Sequence, residues 1–161
     1  MFFAREENPA NRPLLVFVLL SLLVGGSATF FTEPSIPTWY AALAKPDFSP
    51  PNWLFAPVWT TLYVLMGVAA SRVWKLTGFG KEIGFWAAQL VLNFCWSAIF
   101  FYLHQIGAAL IEMGVLWLAI LVTLILFWRR DRVAGLLLVP YLAWVSFAFC
   151  LNLAIWRLNS P

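Results

Sequence analysis

Ten tryptophans in 161 residues are the first candidates for chemistry, because an indole joins a broad stacking face to a single N–H donor. Trp59, Trp96, Trp117 and Trp144 fall deep inside apolar stretches, and three of them belong to stripes that share one helical face. Trp59, Tyr63, Met66 and Ala70 recur at i, i+4, i+7 and i+11, as do Gln89, Asn93, Trp96 and Phe100. Tyr141, Trp144, Ala148 and Asn152 make a third set. Aromatic walls, a few amides and a small residue where bulk would intrude suit a flat apolar ligand with polar edges. The same spacing also serves plain helix packing, with amides bonding between helices, and periodicity alone leaves both readings open.

Other chemistries lack their parts. No serine stands with a histidine and a carboxylate at triad spacing, and there is no glycine-rich phosphate loop and no pair of intramembrane acids. His104 is the sole histidine, and no Cys/His/Asp/Glu cluster has ligand spacing, so neither a metal site nor a resident cofactor is expected. Cys95 and Cys150 lie within apolar runs and read as packing. Glu112, near the start of the fourth run, is either interfacial or, if deeper, a functional acid.

The elements that must position these residues follow from composition. A chain 63% hydrophobic and 11% charged cannot hide its apolar surface in one water-soluble core, and a bilayer interior about 30 Å thick calls for about 20 apolar residues per helix. Five stretches qualify: 13–33, 51–76, 80–103, 105–128 and 133–157. Solid runs such as LVFVLLSLLVGG lack the alternation of a β-barrel, so the fold expected is an all-α integral membrane protein, one domain (1–161) built as a five-helix transmembrane bundle. Arg5 and Arg12 ahead of an apolar run, with Gly26-Ser27-Ala28 behind, also resemble a signal peptide, but the run continues to Phe31. With five spans, Arg5, Arg12, Arg72, Lys75, Lys81, Arg129, Arg130 and Arg132 share one side against Lys45 and Arg157 on the other. This predicts a cytoplasmic N-terminus and a C-terminus across the membrane, and gives the +3 net charge no bearing on nucleic acid.

Trp39, Trp53, Trp74, Trp86, Trp128 and Trp156 fall near span ends, where indoles anchor at headgroup level. Residues 34–50 form the expected lid loop, stiffened by Pro46, with Ser49 as helix N-cap and Pro50 and Pro51 in the first turn. On the third span Gly84, Ala88, Val91 and Cys95, with Gly80 before them, make a small-residue stripe suited to a helix–helix seam. Gly80, Gly84 and Ala88 are the expected dimer contacts.

The stretch WYAALAKPDFSPPNWLFAPVWTTLYVLMGVAASRVW, with AAQLVLNFCWSAIFF and VPYLAWVSFAFCLNLAIWRLN further on, resembles the translocator protein family, also called tryptophan-rich sensory proteins or peripheral-type benzodiazepine receptors. The resemblance covers residues 15–159. It implies a five-helix bundle, usually a homodimer, with a cavity beneath the first loop that binds tetrapyrroles such as protoporphyrin IX. Carried onto matching positions, it implies a ligand site of Tyr40, Pro50, Pro51, Trp59, Asn93, Trp96, Phe100, Trp144 and Ala148. It also implies, from bacterial members, a light- and oxygen-dependent breakdown of bound porphyrin associated with Trp59 and Trp144. The functions expected are therefore a porphyrin sensor or carrier in the membrane, alternatively a porphyrin-degrading enzyme, and third a structural membrane partner without a small ligand. The family's sterol pattern departs here: Leu153 and Ala154 stand where tyrosines would precede Arg157, which argues against cholesterol.

Overall fold

The computed structural model describes residues 11–160; Arg5 of the basic set lies outside them. Among the described residues five helices are long and apolar enough to cross a membrane, and the protein is an all-α, multi-pass integral membrane protein. The helices are α1 (Arg12–Ser35), α2 (Phe55–Thr77), α3 (Lys81–Ser97), α4 (Ile106–Arg130) and α5 (Arg132–Asn159). α1 packs on α2, α2 on α5, α5 on α4, α4 on α3, and α3 back on α1, so the bundle closes as a ring.

Local chemistry sets the ends. Gly78 takes φ +64° after α2 and its N–H reaches the Trp74 carbonyl at 2.8 Å, a conformation other residues resist. Asp131, extended between α4 and α5, caps α5 by accepting from the Val133 N–H at 2.9 Å. Two single π turns, Ile36–Tyr40 and Ala98–Tyr102, prolong α1 and α3 at the far end, where such turns re-aim side chains.

The loop is shorter than the sequence suggests. Residues through Ala42 remain helical, and only 43–51 lie outside helix. Ser49 caps nothing, and Pro50 and Pro51 precede the helix: Pro51 is extended, with ψ 145°, and a 3₁₀ turn (Asn52–Leu54) intervenes before α2. Proline's fixed φ suits an extended approach to a helix as well as its first turn, and ψ decides between them.

The bundle has two halves. At the basic end the interior is solid: Met66, Ala69, Ala70 and Val73 of α2 pack with Leu116, Ile120 and Phe127 of α4 and Ala134, Leu138 and Tyr141 of α5. Trp86, expected at the interface, is 4% exposed and meets the Phe17 ring edge-on at 5.1 Å. It is a core residue because α3 turns that face inward. A Cβ on Gly67 would stand 2.8 Å from the Phe17 carbonyl oxygen, so α1 and α2 touch backbone to backbone here. Gly67→Leu should therefore unfold or splay this pair, at a cost of about 1–3 kcal/mol or more for overpacking, read as a lowered thermal midpoint in detergent.

Among the described residues two ion pairs tie the basic end: Arg72 to Asp131 at 2.6 Å and Arg130 to Glu82 at 2.8 Å. The Arg72 guanidinium, helped by the Val133 and Ala134 amides, holds the Asp131 carboxyl below the usual carboxylate range. A carboxyl depressed in the folded state stabilises it above the unfolded value and loses that contribution as pH falls through the folded one. Because Asn also caps helices, Asp131→Asn isolates the pair. Wild type should exceed it in stability by under about 1 kcal/mol at neutral pH, and the gap should close below pH about 4. Thermal midpoints across pH check this.

Candidate functional site

Toward the far end the helices part, and a cavity of about 560 Å³ opens between α1, α2, α3 and α5. That size suits a small ligand. Trp59, Asn93, Trp96, Phe100, Trp144 and Ala148 all line it, as does Tyr40 from the π turn after α1. Pro50 and Pro51 do not; Asn52, beyond them, does. Their place is on the approach to α2, above the wall rather than in it.

The aromatic walls brace one another. Trp59 stacks on Tyr63 (centroids 5.7 Å, 29°) and meets Tyr141 edge-on at 6.2 Å. Trp96 stacks on Phe100 at 5.1 Å, and Phe100 in turn meets Tyr40 at 6.2 Å. Trp144 is held by Phe55 and Phe147 at 5.9 and 5.5 Å. Interlocked rings of this kind present a preformed, rigid face.

The floor is polar and mostly committed. Tyr63 donates to Asn93 Oδ1, Asn93 Nδ2 donates to the Tyr141 hydroxyl at 3.3 Å, and Tyr141 donates to Gln89 Oε1 at 2.8 Å. Higher up, Trp96 Nε1 donates to Asn152 Oδ1 at 3.3 Å while Asn152 Nδ2 donates to the Ile106 carbonyl at 3.1 Å. Trp144 Nε1 has no partner among the described residues. That nitrogen is itself buried, as are Nε1 of Trp74 and Trp86, so Trp144 presents its ring rather than its N–H to the cavity.

Sequence reasoning missed the α1 wall. Leu22, Gly25, Thr29, Thr32, Glu33 and Ile36 line the cavity, and the signal was present: Thr29, Thr32, Glu33 and Ile36 recur at i, i+3, i+4 and i+7 in an otherwise apolar run. A Cβ on Gly25 would run into the Tyr63 ring, so this glycine lets α1 close on the cavity's lower edge. Above it the exposed lining residues, Thr29 and Glu33 of α1 with Ala56 and Thr60 of α2, mark an opening between those helices.

Other candidates fall elsewhere. Trp117 donates to Ser146 at 2.8 Å and braces α4 on α5. Both Glu112 carboxylate oxygens are buried without a hydrogen-bond partner among the described residues, and Glu112 does not line the cavity. His104 sits in a left-handed turn at φ 55° with its ring stacked on Trp39 at 4.1 Å. No group of three or more His, Cys, Asp or Glu among the described residues could hold a metal. Gly84 and Ala88 lie on the exposed face of α3, and a Cβ on Gly84 would meet nothing within 4 Å. Gly80 differs: a Cβ there would stand 2.7 Å from Glu82 Oε2, so its smallness serves the Glu82–Arg130 corner.

Comparison with known proteins agrees with this architecture. Residues 17–157 match the model of the TspO/MBR family. The tryptophan-rich protein TspO of Archaeoglobus fulgidus is 42% identical over 150 residues, covering 91% of this chain and 97% of the relative. Protein CrtK of Rhodobacter capsulatus is 38% identical over 151 residues, 89% of this chain and 91% of the relative. The human translocator protein is 41% identical over 126 residues, 75% of each. With its cavity tryptophans on a ring of five membrane helices and a family match that spans nearly the whole length, the chain belongs to the TspO/MBR family.

Proposed function

We propose that the protein is a membrane sensor or carrier that binds porphyrin-type tetrapyrroles, protoporphyrin IX or a close relative, in the cavity between α1, α2, α3 and α5. The observation that carries this is the cavity wall itself: rigid indole and phenyl faces, with the side chains of Asn93, Asn152 and Thr60 at their edges. A planar ring with polar edges matches both features. The relatives' names, a tryptophan-rich TspO and a translocator protein, support a sensory or translocating role. The basic residues at the solid end support a cytoplasmic N-terminus, which puts the cavity mouth on the far side.

The test is a dark, anaerobic porphyrin titration followed by tryptophan quenching. Stacking contributes about 0.5–1.5 kcal/mol beyond area burial, so Trp144→Ala should weaken binding roughly tenfold. Trp144→Phe, which keeps a smaller ring, should fall between. Wild-type affinity in Trp144→Ala and in Trp59→Ala, both folded, would remove the assignment.

A second reading makes the protein an enzyme that degrades bound porphyrin with light and oxygen. Its support is Trp59, whose ring lies against two hydrogen-bonded phenols, Tyr63 and Tyr141. Bleaching that needs light, oxygen and Trp59 would favour it over simple binding, whereas no saturable binding would leave a purely structural partner.

Homodimerisation through α3 is part of the same proposal. Gly84 and Ala88 offer open, small-residue surface, which lets helix backbones approach. Gly84→Leu should give a folded monomer in detergent that still binds porphyrin. A persisting dimer would move the seam to another face.

A further inference from the structure

We propose that the outer seam between α2 and α5 holds one alkyl chain of a bilayer lipid, and that this chain steadies the cavity wall from outside through Trp144. A hollow of about 640 Å³ lies along that seam, distinct from the cavity except at Trp144, which lines both. Its rims are Pro57 and Thr61 of α2 and Pro140 and Ala143 of α5, all exposed, and its lining descends to the buried Leu62. Positions four apart on α2 and three apart on α5 share one face of each helix, so proline rings and short side chains oppose one another across the seam. Bulkier residues there would have closed it.

The lining chemistry names the occupant. Thr61 brings the one hydroxyl, and it donates to the Pro57 carbonyl of its own helix at 2.8 Å, while Trp144 Nε1 is buried. A guest with donors or acceptors would lose their partners in such a hollow, and water would too. A hydrocarbon chain loses nothing by entering, whereas an empty hollow forfeits the dispersion contacts of its walls. Both helices are long and apolar enough to cross a membrane, so lipid borders the seam along its length. A second copy of the chain is the rival occupant, but the open small-residue face of α3 lies across the ring from this seam. The coupling to the cavity is geometric: a single indole, Trp144, is the partition between the two spaces. Phe147, which lines the hollow and not the cavity, meets Trp144 at 5.5 Å and Phe48 of the loop at 6.3 Å. A chain lying against Phe147 and Trp144 blocks outward movement of the wall and backs the contact that the loop makes. The site is independent of the ring-binding reading above; its effect on the cavity rests on that reading.

The experiment uses the full chain in phosphatidylcholine nanodiscs and has two arms. In the first, a minor fraction of the lipid carries a diazirine within its acyl chain, and the photolabelled residues are mapped by mass spectrometry. Label should concentrate on the rims of the hollow in excess of Val115, Leu118 and Val122, exposed residues of α4 that see only the ordinary bilayer. Ala143→Phe, which fills the hollow without touching the cavity, should abolish that excess, and Thr61→Phe serves the same purpose should the first variant fail to fold. In the second arm, protoporphyrin IX release is timed in the dark in bilayers of straight chains and of diphytanoyl chains, whose methyl branches thicken them. Wild type should release about three- to tenfold more slowly with straight chains, the scale of one aromatic contact. Ala143→Phe, which feels the same two bilayers, should release at one rate in both. Even labelling of α4 and the seam, an excess that survives both filling variants, or loss of a dimer in Ala143→Phe overturns the lipid site. Equal wild-type release in both bilayers, or a difference that persists in Ala143→Phe, overturns the coupling. Absence of saturable porphyrin binding in either bilayer overturns the ring-binding reading and the coupling with it, while the labelling arm still decides the site.

Discussion

Tyr141→Phe should destabilise the bundle by roughly 2–3 kcal/mol although it removes one oxygen atom and leaves no cavity. Tyr141 is 1% exposed, and its hydroxyl stands between two amides, accepting from Asn93 Nδ2 and donating to Gln89 Oε1. Removing it orphans a buried donor and a buried acceptor together. An orphaned group costs about 1–3 kcal/mol, whereas the average hydrogen bond between membrane helices contributes nearer 0.6, so the outcome turns on whether the amides can find new partners. Gln89 is 1% exposed and its other contact is the Met66 sulfur at 3.5 Å, a weak acceptor. Little rearrangement is open to it. Tyr63→Phe is the control: it frees the other edge of Asn93, but Tyr63 and Asn93 both border the cavity, where water or a ligand edge can replace the bond. Its cost should be less than half. Denaturant unfolding in detergent measures both, and equal losses would mean that proximity to the cavity offers no compensation.

The contrast between these tyrosines shows how far the sequence could be read. Each stripe of inward residues was legible, since a period of 3.6 needs no structure to detect. Its use was not, because every stripe divides along its length. On α2, Trp59 and Tyr63 face the cavity, while Met66 and Ala70, on the same face, fill the solid core. On α3, Gln89 is core, Asn93 is floor and Trp96 and Phe100 are wall. Cavity and packing were offered as rival readings of one pattern, and each describes a different depth. Five apolar helices were legible because apolar runs long enough for a bilayer admit no alternative, although the first stretch runs on to Tyr40 where the sequence suggested an end at 33. The loop was not, since the π turn from Ile36 to Tyr40 carries helix past Pro34 and Pro37. The α1 wall escaped because Thr29, Thr32 and Glu33 stand at the end of the first apolar run, and only the tertiary placement of α1 beside α2 and α3 brings them to the cavity.

Asn159→Ala should speed the release of a bound porphyrin about five- to thirtyfold, the equivalent of about 1–2 kcal/mol. The loop is hydrogen-bonded to α5 at one residue, the Ala44 N–H donating to Asn159 Oδ1 at 3.0 Å and Asn159 Nδ2 to the Ala44 carbonyl at 2.9 Å, while Phe48 packs edge-on against Phe147 at 6.3 Å. The amide thus reads both backbone groups of Ala44 from the last turn of α5. Tyr40, which lines the cavity, is four residues back along the chain, so freeing Ala44 loosens the segment above the ring. Asn159→Asp keeps an acceptor for the Ala44 N–H but loses the donor, and should release at an intermediate rate. Each bond is solvent-exposed, which holds the expected effect to the lower part of the hydrogen-bond range. Equilibrium affinity should change less than the release rate, because a loosened loop admits ligand faster as well. Stopped-flow displacement in the dark separates the two rates. Wild-type release from Asn159→Ala would mean that the ring leaves by the other way the geometry offers, sideways between α1 and α2 past Glu33, with the loop as a fixed roof.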